Sequence, residues 1–126
     1  MDLNHWRQMK RYPLLRVAAW LTVAAWCLPC AGAKEILGAF RNRLAPAAEK
    51  HRPDLVLISA GFDSRAGDPL GRFTLSDGDF VELTRMLMEI ADKYADGRLI
   101  SVLEGGYNLA GLASAAAAHV SELRRL

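Results

Sequence analysis

Ser59-Ala60-Gly61-Phe62-Asp63 and Leu103-Glu104-Gly105-Gly106-Tyr107 decide how this chain is read. Each follows an apolar run, Leu55-Val56-Leu57-Ile58 in the first case and Leu99 to Leu103 in the second. Short apolar runs bounded by turn residues are the pattern of strands covered on both faces. Each stretch sets a side chain with chemistry, an aspartate in one and a tyrosine in the other, just past a strand's C-terminal end. In an open α/β sheet that edge is where ligands bind.

Working outward, the chain alternates helix and strand. Ile36, Leu37, Phe40, Leu44 and Ala47 recur at helical spacing between Lys34 and Lys50, with Pro46 expected to kink or stagger the last turn. The segment 60–78 carries Gly61, Gly67, Pro69, Gly71 and Gly78 and reads as a long loop. Asp77 or Asp79 is placed to cap the next helix, whose Phe80, Leu83, Leu87, Ile90, Ala91 and Tyr94 share a face before Asp96-Gly97 ends it. A final alanine-rich helix is expected over about Leu109 to Leu123. A strand–helix–strand unit of this length implies parallel strands joined by a right-handed crossover. Parallel strands put both following loops on one edge, so Asp63 and Tyr107 are expected to be neighbours.

Composition supports one packed α/β domain, at 52% hydrophobic and 24% charged residues in a chain of 126. The formal charge of +2 is unevenly spread. Arg7, Lys10, Arg11 and Arg16 face only Asp2 in residues 1–33, whereas residues 34–126 hold twelve bases against thirteen acids. No basic stripe for nucleic acid is present in that second part. Residues 1–33 form an atypical leader: a basic stretch, an apolar run from Val17 to Cys30, then Ala31-Gly32-Ala33. The order is that of a secretory signal, and the run is short for a membrane span. A cleaved signal, a packed helix and an out-of-family start compete, and the last is favoured. Cys27 and Cys30 read as apolar-segment cysteines, with no second pair or nearby histidine to complete a zinc site. The expected location is the cytoplasm, with secretion left open by the signal-like leader.

Asp63 alone could be a turn cap, and Tyr107 a half-buried ring. Glycines beside both leave space for close approach of a ligand or metal. The wording of three motifs goes further. Pro53-Asp54-Leu55-Val56-Leu57-Ile58-Ser59-Ala60-Gly61-Phe62-Asp63, Gly67-Asp68-Pro69-Leu70-Gly71 and Leu103-Glu104-Gly105-Gly106-Tyr107-Asn108 stand in order. Together they resemble the C-terminal third of the arginase-like histone deacetylase family, nearest to class II enzymes and the bacterial acetylpolyamine amidohydrolases and acetoin-utilisation proteins. The resemblance implies that residues 34–126 are the C-terminal portion of a three-layer α/β fold with a parallel sheet. It implies a zinc cofactor with Asp63 as one ligand, Tyr107 as the catalytic phenol that stabilises the oxyanion, and an acetyl-lysine or acetylpolyamine substrate. Gly105 and Gly106 would line the acyl tunnel, and Asp68, Pro69 and Leu70 would sit near the pocket.

A catalytic zinc needs three protein ligands. The family takes two from an Asp-x-His motif and its general base from a tandem His-His. His5, His51 and His119 stand in neither pattern, and each reads as a solvated or packed histidine. The expectation is a zinc-dependent deacetylase fragment inactive alone. The alternative is a non-catalytic module, or a split-enzyme partner, that meets a second copy or another protein at an uncovered sheet edge. A phosphate binder built on Glu104-Gly105-Gly106 ranks last, because Glu104 would repel the anion.

Overall fold

The computed structural model describes residues 18–19 and 32–125. Three parallel strands form one sheet in the order β1 (Ala18–Ala19), β2 (Val56–Ala60), β3 (Leu99–Leu103). The readings of the leader as signal, packed helix or foreign start fall on residues largely outside those described, as do Cys27, Cys30 and His5. Residues 18–19 nonetheless pair with Leu57 and Ile58 of β2.

The helical pattern of 34–50 is observed as α1 (Ala33–Ala39) and α2 (Ala45–His51), joined by a π-helical stretch over Phe40–Leu44. Pro46 explains the insert. In α-helical register its ring would collide with the carbonyl four residues back, and it has no N–H to give. The chain widens by one residue instead, and the Ala45 N–H bonds to the Phe40 carbonyl. Arg52, at φ 48°, closes α2 in the left-handed region, and Pro53 follows.

Between β2 and β3 runs α3 (Asp77–Tyr94). Ser76 caps it, not Asp77 or Asp79: its hydroxyl accepts from the Asp79 N–H, and the Asp79 carboxylate accepts from the Ser76 N–H at 2.7 Å. Asp79 thus plays the reciprocal part of a capping box. The last helix, α4 (Leu109–Leu123), starts at Asn108, whose side chain accepts from the Gly111 N–H at 3.1 Å.

The long 61–76 segment is ordered by folding on itself. Ala66 donates to the Leu75 carbonyl at 2.9 Å, Leu75 to that of Ser64 at 3.2 Å, and the Leu75 side chain is fully buried.

Strand order 1-2-3 has a consequence for layering. With right-handed crossovers and no reversal of direction across the sheet, every connecting helix falls on the same face. Val56, Ile58 and Ala60 accordingly point into a core with Phe80, Leu83 and Leu87 of α3, and Ile36 of α1, Phe40 of the π-helical stretch and Ala48 of α2 join it. Arg85 of α3 pairs with Glu122 of α4 at 3.0 Å, and Arg41 pairs with Glu82 at 2.9 Å. The opposite sheet face holds Leu57, Ile100 and Val102 at 39%, 49% and 48% exposure. The expectation that both strands are covered on both faces is therefore corrected: the described residues build the sheet and one helical layer. An aliphatic run reads the same whether the second cover comes from this chain or from elsewhere.

Leu87→Ala, which empties a fully buried position, is expected to cost about 2–5 kcal/mol in urea unfolding. Ile100→Thr, on the open face, should change stability by less than about 0.5 kcal/mol. A large loss at Ile100 would mean that this face is covered.

Candidate functional site

The parallel ladder does not stop where the strands do. Val56 to Ala60 pair in register with Leu99 to Leu103, and then the Glu104 N–H donates to the Ala60 carbonyl at 3.0 Å. The Phe62 N–H next donates to the Gly105 carbonyl at 2.8 Å. The two strand-end loops are thereby zipped together, and Asp63 lies one residue beyond the last rung.

Its carboxylate rests against glycine backbone on two sides. A Cβ on Gly105 would stand 2.7 Å from Asp63 Oδ2, and one on Gly61 would stand 3.1 Å from Oδ1. Any larger residue at position 105 would have to displace that carboxylate. Gly106, at φ +139°, has a different reason to be glycine: the backbone angle is costly for other residues, and a Cβ there would lie 2.9 Å from Leu112 Cδ1. Asp63 is half-buried, and no described residue donates a hydrogen bond to its carboxylate. The turn-capping alternative for Asp63 required such bonds.

Asp68 behaves in the opposite way. At 9% exposure its carboxylate accepts four backbone N–H groups. Leu70 and Gly71 donate to Oδ1 at 2.9 and 3.0 Å, and Tyr107 and Asn108 donate to Oδ2 at 2.7 and 3.1 Å. Burial pushes its pKa up, but the four donors, from Gly71, Tyr107, Leu70 and Asn108, together outweigh burial and hold it below the ordinary aspartate value. Pro69 has no N–H to compete and suits the second position of the turn. Leu70 is exposed beside it. Gly71 closes the arrangement, because a Cβ there would fall 1.6 Å from the Asp63 carbonyl oxygen. Sequence reading put Asp68 near the site; that its acceptors serve Tyr107 and Asn108 was hidden, since those donors lie about forty residues away.

Tyr107 is 55% exposed, and its backbone N–H is held by Asp68. Asn108 adds a bond from its side-chain amide to the Gly67 carbonyl at 3.0 Å. Arg65, whose Nε donates to Asp77 Oδ1 at 2.6 Å, ties the loop to the start of α3.

His119 is the packed histidine of the two outcomes open in sequence. The Thr84 hydroxyl donates its one proton to the Phe80 carbonyl at 2.6 Å, so its oxygen accepts from His119 Nδ1–H at 2.6 Å. His119 Nε2 then accepts from the Ser101 hydroxyl at 2.9 Å. The neutral ring, edge-on to Phe62 at 5.8 Å, supports the residue next to Asp63. Among the described residues no three His, Cys, Asp or Glu side chains converge to hold a metal. By donor chemistry Asp63 fits as one oxygen ligand of a zinc ion, and His51 and His119 do not join it: His51 ends α2, and both nitrogens of His119 are engaged.

The histone deacetylase domain profile matches residues 21–123. The chain belongs to the histone deacetylase family. The match opens inside the stretch read from sequence as leader. Type-2 histone deacetylase 1 of Dictyostelium discoideum is 40% identical over 95 residues, which is 75% of this chain and 6% of that protein. The histone deacetylase-like amidohydrolase of Pseudomonas aeruginosa is 38% identical over 96 residues, 76% of this chain and 25% of that protein. The solved structure of the histone deacetylase Clr3 of Schizosaccharomyces pombe superposes with a TM-score of 0.72 at 37% identity, over 80% of this chain and 16% of that one. The chain thus spans a quarter or less of these relatives' length, and its open parallel sheet is that of the family's arginase-like α/β fold. No helix among the described residues is long and apolar enough to cross a membrane.

Burial pushes the His119 pKa below the usual histidine range. The unfolded chain, with an ordinary value of about 6.5, then binds the proton first as pH falls. Stability is expected to be whole above about pH 6.5 and to decline below it. Urea midpoints at pH 7 and pH 5 should show this decline, and His119→Gln should flatten it. An unchanged slope in the variant would show that His119 is not its source.

Proposed function

We propose that this chain carries half of a zinc-dependent deacetylase centre, with Asp63 as one metal ligand and Tyr107 as the oxyanion-stabilising phenol. The substrate class is an acetylated amine, on lysine or on a polyamine, and the reaction is hydrolysis of its amide bond. The observation that carries this reading is the half-buried Asp63 carboxylate that receives no hydrogen bond from the described residues, five positions from an aspartate that receives four. A carboxylate kept free at the ligand edge of a parallel sheet suits a cation or a bound group better than a structural role.

Family membership supports the same assignment, and the bracketing glycines leave room at the carboxylate. When bound, zinc would supply Lewis acidity toward the acyl oxygen and the attacking water. The chain's own residues do the rest of their part as follows. Asp63 offers a fixed anionic oxygen. Gly105 and Gly106 keep side chains out of the path of the acyl group. The Tyr107 hydroxyl donates a hydrogen bond to the carbonyl oxygen as negative charge develops there, where one preorganised donor is worth about 100-fold or more in rate.

One carboxylate does not satisfy zinc, so the other two ligands and the general base come from outside the described residues. In this reading the chain alone is inactive and zinc-free. The uncovered face with Leu57, Ile100 and Val102 favours a second reading, an interaction module that docks through its sheet without chemistry.

The two are separated by mixing the chain with a polypeptide that carries the Asp-x-His and His-His part of a related deacetylase domain. Turnover of an acetyl-lysine peptide and bound zinc are then measured. The catalytic reading expects activity in the mixture, about 100-fold less for Tyr107→Phe with zinc retained, and lost zinc for Asp63→Asn. Tight stoichiometric zinc and turnover by the chain alone would overturn the half-centre. A docked but inactive mixture would favour the module.

A further inference from the structure

We infer that Asp68 is the positioning residue of this site, the single carboxylate that sets Tyr107 relative to Asp63. The inference rests on the reading of Asp63 and Tyr107 as parts of one centre, and it gives Asp68 a role distinct from contact with substrate.

The geometry leads there in three steps. Oδ2 takes the N–H groups of Tyr107 and Asn108, which fixes the backbone on both sides of the Tyr107 carbonyl and anchors the residue that caps α4. Oδ1 takes the N–H groups of Leu70 and Gly71, which closes a turn that no backbone hydrogen bond closes. Gly71 in turn packs its Cα against the Asp63 carbonyl, with no room for a side chain between them. One end of the carboxylate therefore holds the tyrosine and the other holds the backbone of the aspartate. All lone-pair directions facing protein are used, and the group is almost fully buried. Nothing remains for it to offer a ligand.

Charge and shape both matter in this arrangement. Four N–H dipoles converge on one anion, an interaction stronger than that with a neutral oxygen. Asparagine has a single acceptor oxygen; its NH2 would face two N–H donors. Asp68→Asn should accordingly hold one pair of amides and release the other, whereas Asp68→Ala should release both.

The test is residue-resolved amide hydrogen exchange on the full chain. In Asp68→Ala, exchange at Tyr107 and Asn108 is expected to rise at least tenfold relative to Leu87 and Ile90 of the α3 core. In Asp68→Asn, one of the two pairs, Leu70 with Gly71 or Tyr107 with Asn108, should open while the other stays protected. Full protection of all four amides in the asparagine variant would show that Asp68 merely fills space. Exchange that rises only in proportion to the core would show a general stabilising role. Either result overturns the inference.

Should the variants fail to fold, the parent decides: on acidification the amide protons of Leu70, Gly71, Tyr107 and Asn108 should shift together through one midpoint. Four unrelated titrations, or none, would overturn the inference as well. Tyr107→Phe keeps its backbone N–H, so both amides should stay protected in it. If that variant retained full turnover in the mixed system, the catalytic reading would fail while the exchange result stood, and the two failures are told apart.

Discussion

The hydrogen bond from the Phe62 N–H to the Gly105 carbonyl, 2.8 Å long, is the contact on which the site depends. Strand pairing alone would bring Ala60 and Leu103 side by side and then let the chains diverge into loops. The Glu104 bond keeps the ladder's register, and the Phe62 bond, one residue beyond that register, carries the pairing into the loops themselves. Asp63 and the Gly105-Gly106 turn are thus placed by sheet geometry, with little conformational freedom left to lose when a ligand binds. The glycines follow from this constraint. Two loops zipped at backbone distance leave no volume for a Cβ at Gly105, and the carboxylate of Asp63 occupies what volume there is.

Two aspartates five residues apart show how the same side chain is put to opposite uses. Asp68 is buried, saturated with backbone donors and held in its charged form. Asp63 is half-buried, and no described residue donates to it. Burying a charge is costly unless it is paired or hydrogen-bonded, which explains the four donors around the first. The second avoids that cost by staying partly in water. One anion is thus saturated with protein donors inside, and the other stands without them at the sheet edge.

The alternation of elements was legible because local signals agreed with one another. Asp96-Gly97 before Leu99 and the glycine pair after Leu103 bound a strand whose observed limits are those expected, and the last helix runs from Leu109 to Leu123 as the pattern indicated. The meeting of the two strand-end loops followed from parallel pairing alone. What the residues did not disclose were features that depend on partners remote in sequence. Leu57, Ile100 and Val102 have the composition of doubly buried strands, yet the described residues cover one face. His119 gives no hint of Thr84 and Ser101 waiting in α3 and β3. Ser76, which stands beside two aspartates of equal capping chemistry, caps α3 because its hydroxyl reaches the Asp79 N–H while Asp79 reaches back. The register shift at Pro46 was foreseeable as a disturbance but not as a π turn.

The zipped loops are tested most directly by hydrogen exchange at two amides of the unmodified chain, those of Phe62 and Glu104. Both lie beyond the strands, in segments rich in glycine that would ordinarily exchange within seconds to minutes. Protection comparable to that of Ile58 and Val102, whose amides face each other's strand within the ladder, is the expected result. Free exchange at Phe62 and Glu104, with the strands themselves protected, would mean that the loops part where the strands end and that Asp63 and Tyr107 do not share a site.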